Sequence, residues 1–300
     1  GAVYEAKNPD LDQYAAIKFL NANYFENSQQ VARFREEARA CAKLEHPNII
    51  QVKDFGTLHG RAYLVLQWVD GGSIGDRIKQ HGALALEDFL DVAIQVCRGL
   101  AEAHAHGIIH RDIKPDNIMI QAKDGRVTVA DFGLAKSLEA KEGLTATGAF
   151  LGTPAYMAPE QINNENIGPT TDIYALGGTF YTMLTGKVPF KAGSVATVLH
   201  MHIAQPFPDV REEIPGVPEP LSLLLQKMCA KKQEDRVASM DEVASLLEAI
   251  YAGLTAGGER LAELNRRIGG AAQAGPSLVQ SRAAGLMGDT LDSQDRLKDT

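Results

Sequence analysis

The sequence predicts an α+β fold of two unequal lobes: a small, strand-rich first lobe over residues 1–69 and a larger, mostly α second lobe over 70–251. Three observations predict it. Apolar runs of strand length, separated by turn residues, fill the first lobe around a single amphipathic helix. After Asp70-Gly71-Gly72 the apolar periodicity turns helical and stays so to about Tyr251. Of the 300 residues, 45 % are hydrophobic, enough for a substantial core.

Val3, Tyr4 and Ala6 form one strand and Tyr14 to Leu20 a second, joined by the turn-rich Lys7-Asn8-Pro9-Asp10. Asn27 or Ser28 then caps a helix in which Val31, Phe34, Ala38, Cys41 and Leu44 recur at three- and four-residue steps, and His46-Pro47-Asn48 stops it. Two further strands, Ile49 to Phe55 and Ala62 to Val69, bracket a turn at Thr57 to Gly60. In the second lobe, Phe89 to Ala105 is a long core helix ending near Gly107. Short strands accompany polar motifs around Asp112 and Asp131, an irregular segment runs to Glu160, and helices follow. Among them Ile173 to Leu184 is the longest apolar run. Gly177, Gly178 and Thr182 break it and Gly186 ends it, so it reads as a buried helix, too short for a bilayer. From Ala252 onward Gly, Ala, Ser and alternating charges dominate. Residues 252–300 therefore read as a low-complexity, largely disordered tail, with Leu261 to Ile268 as its one helical stretch.

Composition narrows the function classes. Thirty Lys and Arg against 38 Asp and Glu give a net charge of −8, which argues against a nucleic-acid or anionic-membrane surface. The three cysteines, Cys41, Cys97 and Cys229, are far apart, odd in number and without a CxxC pair, as expected of thiols in a reducing cytoplasm. No signal peptide is visible, so membrane contact is expected only through segments outside this chain. The chain opens on Gly1 rather than Met, and true termini are expected outside it.

The chemistry concentrates in His110-Arg111-Asp112-Ile113-Lys114-Pro115-Asp116-Asn117 and, after one short strand, Asp131-Phe132-Gly133. Two Asp and one Asn at this spacing are what phosphoryl transfer needs: a carboxylate beside the attacking hydroxyl and oxygen ligands for Mg²⁺. The His, Arg, Asp and Asn pattern alone arises by chance in on the order of one chain in a thousand of this length. Here the chain closely resembles the eukaryotic-type (Hanks-type) protein kinases, in particular their serine/threonine branch and its bacterial receptor-type members. The resemblance covers about residues 1–251 and implies a bilobal kinase fold with ATP and Mg²⁺, Mn²⁺ being an alternative ion.

By that resemblance, Gly1 is the third glycine of the family's glycine-rich loop. The first strand and the first two loop glycines, whose N–H groups cover the phosphates, are then missing, and weaker ATP binding than in the parent is expected. Lys18, in Ala15-Ala16-Ile17-Lys18, resembles the lysine that holds the α- and β-phosphates. Glu37 lies on the apolar helix stripe, three residues from Phe34 and four from Cys41, whereas Glu36 shares a solvated face with Arg33, Ala40 and Lys43. A carboxylate aimed into a core needs a cation, and the resemblance makes Lys18 the partner of Glu37. Leu66 takes the gatekeeper place, the backbones of Gln67 and Val69 contact the adenine edge, and Val3, Ala16 and Met119 sandwich the purine. Ser73 is either a ribose contact or a helix cap.

In the second lobe the resemblance makes Asp112 the base that orients the substrate hydroxyl and Lys114 the neutraliser of the transferring phosphoryl group. Lys114 followed by Pro115 resembles the serine/threonine branch. Asn117 and Asp131 are the metal ligands, hard oxygen donors completed by phosphates. Gly152-Thr153-Pro154 resembles a substrate-docking turn, with Thr153 bridging Asp112 and Lys114. Glu160 of Ala158-Pro159-Glu160 pairs with Arg236, and Asp172 braces the catalytic-loop backbone or caps its helix. Thr145 and Thr147 stand where receptor-type members autophosphorylate, with Arg111 awaiting the phosphate. His104 and His106 point to different helix faces and read as a helix end, not a metal site.

The expected activity is transfer of the ATP γ-phosphoryl group to Ser and Thr hydroxyls of protein substrates, with a homodimer for autophosphorylation in trans and a parent anchored by a membrane. The second reading is a pseudokinase that holds nucleotide as a scaffold, and the intact set Lys18, Glu37, Asp112, Asn117 and Asp131 speaks against it. A small-molecule phosphotransferase is a third; the docking segment from Gly152 to Glu160 speaks against that, because a small substrate needs no peptide platform.

Overall fold

Four antiparallel strands build the sheet of the first lobe: β1 (Val3–Asn8), β2 (Gln13–Phe19), β3 (Val52–Leu58) and β4 (Arg61–Gln67), in the order β1-β2-β4-β3. The structure, a computed structural model, describes residues 2–19, 35–36, 38–59, 61–132, 154–255 and 268. Glu37, and Asn27 and Ser28 with the first part of their helix, lie outside these. Asn8 closes the first hairpin, its Oδ1 accepting from the N–H groups of Asp10 and Leu11. Alternation then sets the faces: Ala62, Leu64 and Leu66 are buried on β4 while Arg61 is exposed. Ala38 packs with Leu64 and Leu66, and Cys41 and Leu44 are also buried, so the expected apolar stripe of the helix is the one that faces inward.

The third strand begins at Val52, not at Ile49 as the apolar run implied. Residues 48–50 are drawn instead onto the second lobe. Asn48 Nδ2 donates to Val127 O at 2.7 Å and to Gln95 Oε1 at 3.1 Å, Asn48 O accepts from Val129 N, and Ile50 N donates to Val129 O. Gln95 also accepts from Val127 N. This exchange of strand pairing for cross-lobe bonds ties the sheet to the larger lobe. It requires a glycine at position 99, where a Cβ would stand 2.6 Å from Asn48 O.

The second lobe comprises α1 (Ile74–His81), α2 (Leu86–Ala105), the hairpin β5 (Ile118–Ile120) and β6 (Val127–Val129), α3 (Pro159–Asn163), α4 (Pro169–Thr185), α5 (Val195–Ala204), α6 (Val210–Glu213), α7 (Glu219–Met228) and α8 (Met240–Thr255). Its core lies between α2, α4 and α8, with Phe89 and Phe180 edge to face at 5.3 Å. Helix α4 is buried along nearly its whole length. Its Thr179 and Thr182 hydroxyls satisfy themselves on the carbonyls of Ala175 and Gly178, which is how polar residues survive there. Helix α8 runs to Thr255, a turn past the expected end at Tyr251. Ile268 is helical and 4 % exposed, packed on the same core; the rest of the expected tail lies outside the described residues. None of the three cysteines forms a disulfide and all are buried, and burial pushes the Cys97 and Cys229 thiols well up.

Gly99→Ala is expected to cost about 1–3 kcal/mol, because the obstructing atom is backbone and a packed core yields little. A lower urea midpoint with an unchanged m-value is the measurement that checks it.

Candidate active site

The loop that follows α2 is held from beneath. Gly107, at φ 72°, ends the helix in the left-handed region that favours glycine. His110 is fully buried; its Nδ1 accepts from Asp112 N at 3.2 Å and its Nε2 donates to Ala130 O at 2.9 Å. Burial, outweighing nearby Asp172, lowers the pKa of His110, and a neutral ring with one donor and one acceptor is what these contacts need. Phe132 packs on that ring, centroids 4.7 Å apart, so its neighbour Asp131 is turned the other way, at φ 60°.

Arg111 also has a positive φ, 65°. Asp172, in the first turn of α4 and wholly buried, keeps it there: Oδ1 accepts from Arg111 N and Oδ2 from His110 N, both at 2.8 Å. Oδ2 takes a third bond, from His104 Nε2 at 2.8 Å. The reading of His104 as a plain helix end is therefore corrected. Its ring, 9 % exposed, is the donor that completes the buried carboxylate, while His106 stays on its own helix at Glu102.

The polar groups meet above this base. Asp112 Oδ2 is 3.1 Å from Lys114 Nζ, and Asn117 Nδ2 donates to Asp112 O at 2.8 Å. Asn117 O accepts from Ala130 N, which joins this loop to Asp131. Asp131 Oδ1 in turn meets Lys18 Nζ, delivered by β2, at 2.7 Å. The expected partner of Lys18, Glu37, lies outside the described residues, and so do Gly1, Thr145, Thr147 and Thr153. Around the cleft, Leu66, Val69 and Ala130 form one apolar cluster with Ala16 and Met119 packed on it, and Val3 pairs opposite Lys18 on β1. Gln67 N donates to Gln51 O, so that N–H is already engaged within the sheet. Ser73 forms a reciprocal capping box with Asp76 at the start of α1, which decides for the cap.

Asn117 donates through Nδ2 to Asp112 O, so its amide oxygen and the Asp131 carboxylate are the two groups that would hold a metal ion. Two hard oxygen donors suit an ion that keeps most of its shell for phosphate and water. Among the described residues no group of three His, Cys, Asp or Glu forms a further metal cluster.

A second buried anchor lies below. Arg236 donates to both Glu160 oxygens, at 2.7 and 2.8 Å, and to the carbonyls of Thr170, Ala230 and Lys231, with the Tyr174 ring against it. Burial pushes the Glu160 carboxyl up, but the Arg236 hydrogen bonds and charge prevail and hold it below the usual carboxylate range. Next to it, Gln161 Oε1 accepts from Ala158 N and Nε2 donates to Arg111 O at 3.1 Å. Sequence reasoning missed Gln161. Its signal was a glutamine at the third helical position after a proline, but the capping residue is Ala158, which has no side-chain oxygen.

Residues 1–247 match the family model described as the protein kinase domain. The chain belongs to the protein kinase family. Within it, the chain is 35 % identical over 242 residues to a probable serine/threonine-protein kinase PknB of Lactococcus lactis, covering 80 % of this chain and 38 % of that protein. It is 37 % identical over 263 residues to the serine/threonine-protein kinase PknJ of Mycobacterium tuberculosis, covering 86 % of this chain and 44 % of that one. The kinase domain thus spans less than half the length of these two relatives. Among solved structures it is similar to the Mycobacterium tuberculosis PknI kinase domain, with a TM-score of 0.66 and 25 % identity over 82 % of this chain and 89 % of that one. It is also similar to Rad53 in complex with AMP-PNP, with a TM-score of 0.68 and 25 % identity over 81 % of this chain and 61 % of that one. The domain is of the bacterial Hanks-type serine/threonine class, bilobal, and of a family that uses ATP and a divalent metal ion. Among the described residues, no helix of this kinase domain is long and apolar enough to cross a membrane.

Arg236→Leu leaves Glu160 charged and buried, and a loss of about 3–5 kcal/mol is expected in chemical denaturation. Because the folded pKa of Glu160 is depressed, its contribution is present above the unfolded carboxylate pKa and is lost as pH falls through the folded one. The difference between wild type and variant should therefore shrink in acid.

Proposed function

We propose that this domain transfers the γ-phosphoryl group of Mg²⁺-bound ATP to Ser and Thr hydroxyls of proteins, in the cytoplasm. One observation carries the reading: three separate stretches of chain converge, Lys18 on Asp131 at 2.7 Å and Lys114 and Asn117 on Asp112 at 3.1 and 2.8 Å, with Ala130, the neighbour of Asp131, bound to Asn117 O. Asp112 accepts and orients the substrate hydroxyl, and an ordinary carboxylate suffices because positioning outweighs basicity in a loose transition state. Lys114, already beside Asp112, places positive charge where the phosphoryl group passes. Lys18 holds the α- and β-phosphates and Glu37 orients Lys18; Asn117 and Asp131 hold the ion. When bound, Mg²⁺ supplies charge neutralisation on the phosphate oxygens. Gly1, Val3, Ala16, Leu66, Gln67, Val69 and Met119 receive the nucleotide.

Autophosphorylation of Thr145 or Thr147 between two copies of the chain is the switch in this reading, with Thr153 aligning the peptide against Asp112 and Lys114. Arg111 supports it: Nε is buried and has no hydrogen-bond partner among the described residues, so a phosphate would complete it. Any membrane anchor belongs to segments outside this chain.

The test measures phosphate transfer from labelled ATP to a generic basic protein. Asp112→Asn and Lys18→Met should each lower transfer at least about a hundredfold, the range that positioned acid–base and charge-stabilising groups supply. Activity surviving in both variants would remove the assignment of roles, and nucleotide binding without transfer in the wild type would favour the scaffold reading.

A further inference from the structure

We propose that Gln161 is a positioning residue through which the end of the activation segment fixes the catalytic loop at Arg111. The inference rests on the kinase reading above and adds a residue to it.

Arg111 is held at φ 65°, where a side chain with a Cβ is disfavoured, and such a conformation persists only when its surroundings over-determine it. Its N–H is bound by Asp172 from α4. Its carbonyl is bound by Gln161 from α3. That carbonyl belongs to the peptide unit whose N–H is that of Asp112, bound in turn by His110 Nδ1. The plane that carries Asp112 is therefore fixed at both ends, and Gln161 is the member of this set that adjoins the end of the activation segment.

The amide cannot face the other way. Ala158 N is a donor and requires the oxygen, so the nitrogen is left for Arg111 O. Glu160, one residue earlier, is pinned by Arg236, which makes the first turn of α3 a fixed post rather than a floating one.

Two variants of the whole chain separate this from a simple capping role. Gln161→Glu keeps an oxygen for Ala158 N but has no N–H for Arg111 O; Gln161→Met lacks both. The expected result for Gln161→Glu is a fall of about three- to tenfold in kcat for a peptide substrate, the size of one lost hydrogen bond. KM for ATP should stay at the wild-type value, the melting temperature should fall by no more than about 2–4 °C, and amide hydrogen exchange in the segment around Arg111 and Asp112 should become faster. If Gln161→Glu matches wild type in kcat and exchange and only Gln161→Met is impaired, Gln161 is a cap and the proposal is overturned. Should the wild type transfer no phosphate at all, the kinase reading fails by itself, and the exchange comparison still decides the Gln161 link.

Discussion

The buried carboxylate of Asp172 is the interaction on which the site depends. An ionised carboxylate without partners is too costly to bury, so its presence at the centre of the larger lobe demands donors. Three are provided, two from consecutive backbone N–H groups and one from His104. Those bonds hold the His110–Arg111 backbone against α4, with Arg111 itself at a positive φ of 65°. Placement in the first turn of α4 adds the favourable end of the helix dipole. The geometry of the catalytic loop is in this sense imposed by the need to satisfy one charge.

The smaller lobe is brought to this frame by hydrogen bonds together with apolar contacts, since Cys41, Leu44 and Ile49 belong to the same buried cluster as the core of the larger lobe. Asn48 and Gln95 join the loop after the helix to β6, and Gly99 lets the backbone approach. With the sheet anchored there, β2 extends Lys18 toward Asp131, and β4 leads Leu66 into the segment that ends at Val69. Sheet and loop are thus registered to one another at β6, two residues before Asp131.

What the sequence revealed divides along the same line. Strands, the helix stripe at Ala38, Cys41 and Leu44, and the run from His110 to Asn117 were legible because each is a local pattern, in which spacing alone places side chains. The bond of His104 to Asp172 spans 68 residues and that of Gln161 to Arg111 spans 50, and no periodicity encodes either. The start of β3 was misplaced for a related reason. Ile49 and Ile50 have the composition of a strand, but Asn48 beside them is committed to the other lobe, and tertiary bonding overrode propensity.

Burial also separates the frame from the groups proposed to react. Asp172, His110 and the Glu160–Arg236 pair are at most 4 % exposed, with partners for nearly every polar atom, and moving any of them would strand a buried charge or donor. Lys18 and Asp131 are 23 % and 35 % exposed and meet through a contact of the kind that solvent keeps to about 1 kcal/mol or less. Asp112 and Lys114, at 18 % and 21 %, lie between these limits. A phosphate or a hydroxyl entering the cleft therefore competes with weak contacts at the mouth and leaves the strong ones beneath unmoved. A site that must exchange partners in every turnover while keeping its geometry needs that ordering, and here it follows from how deeply each charge is set.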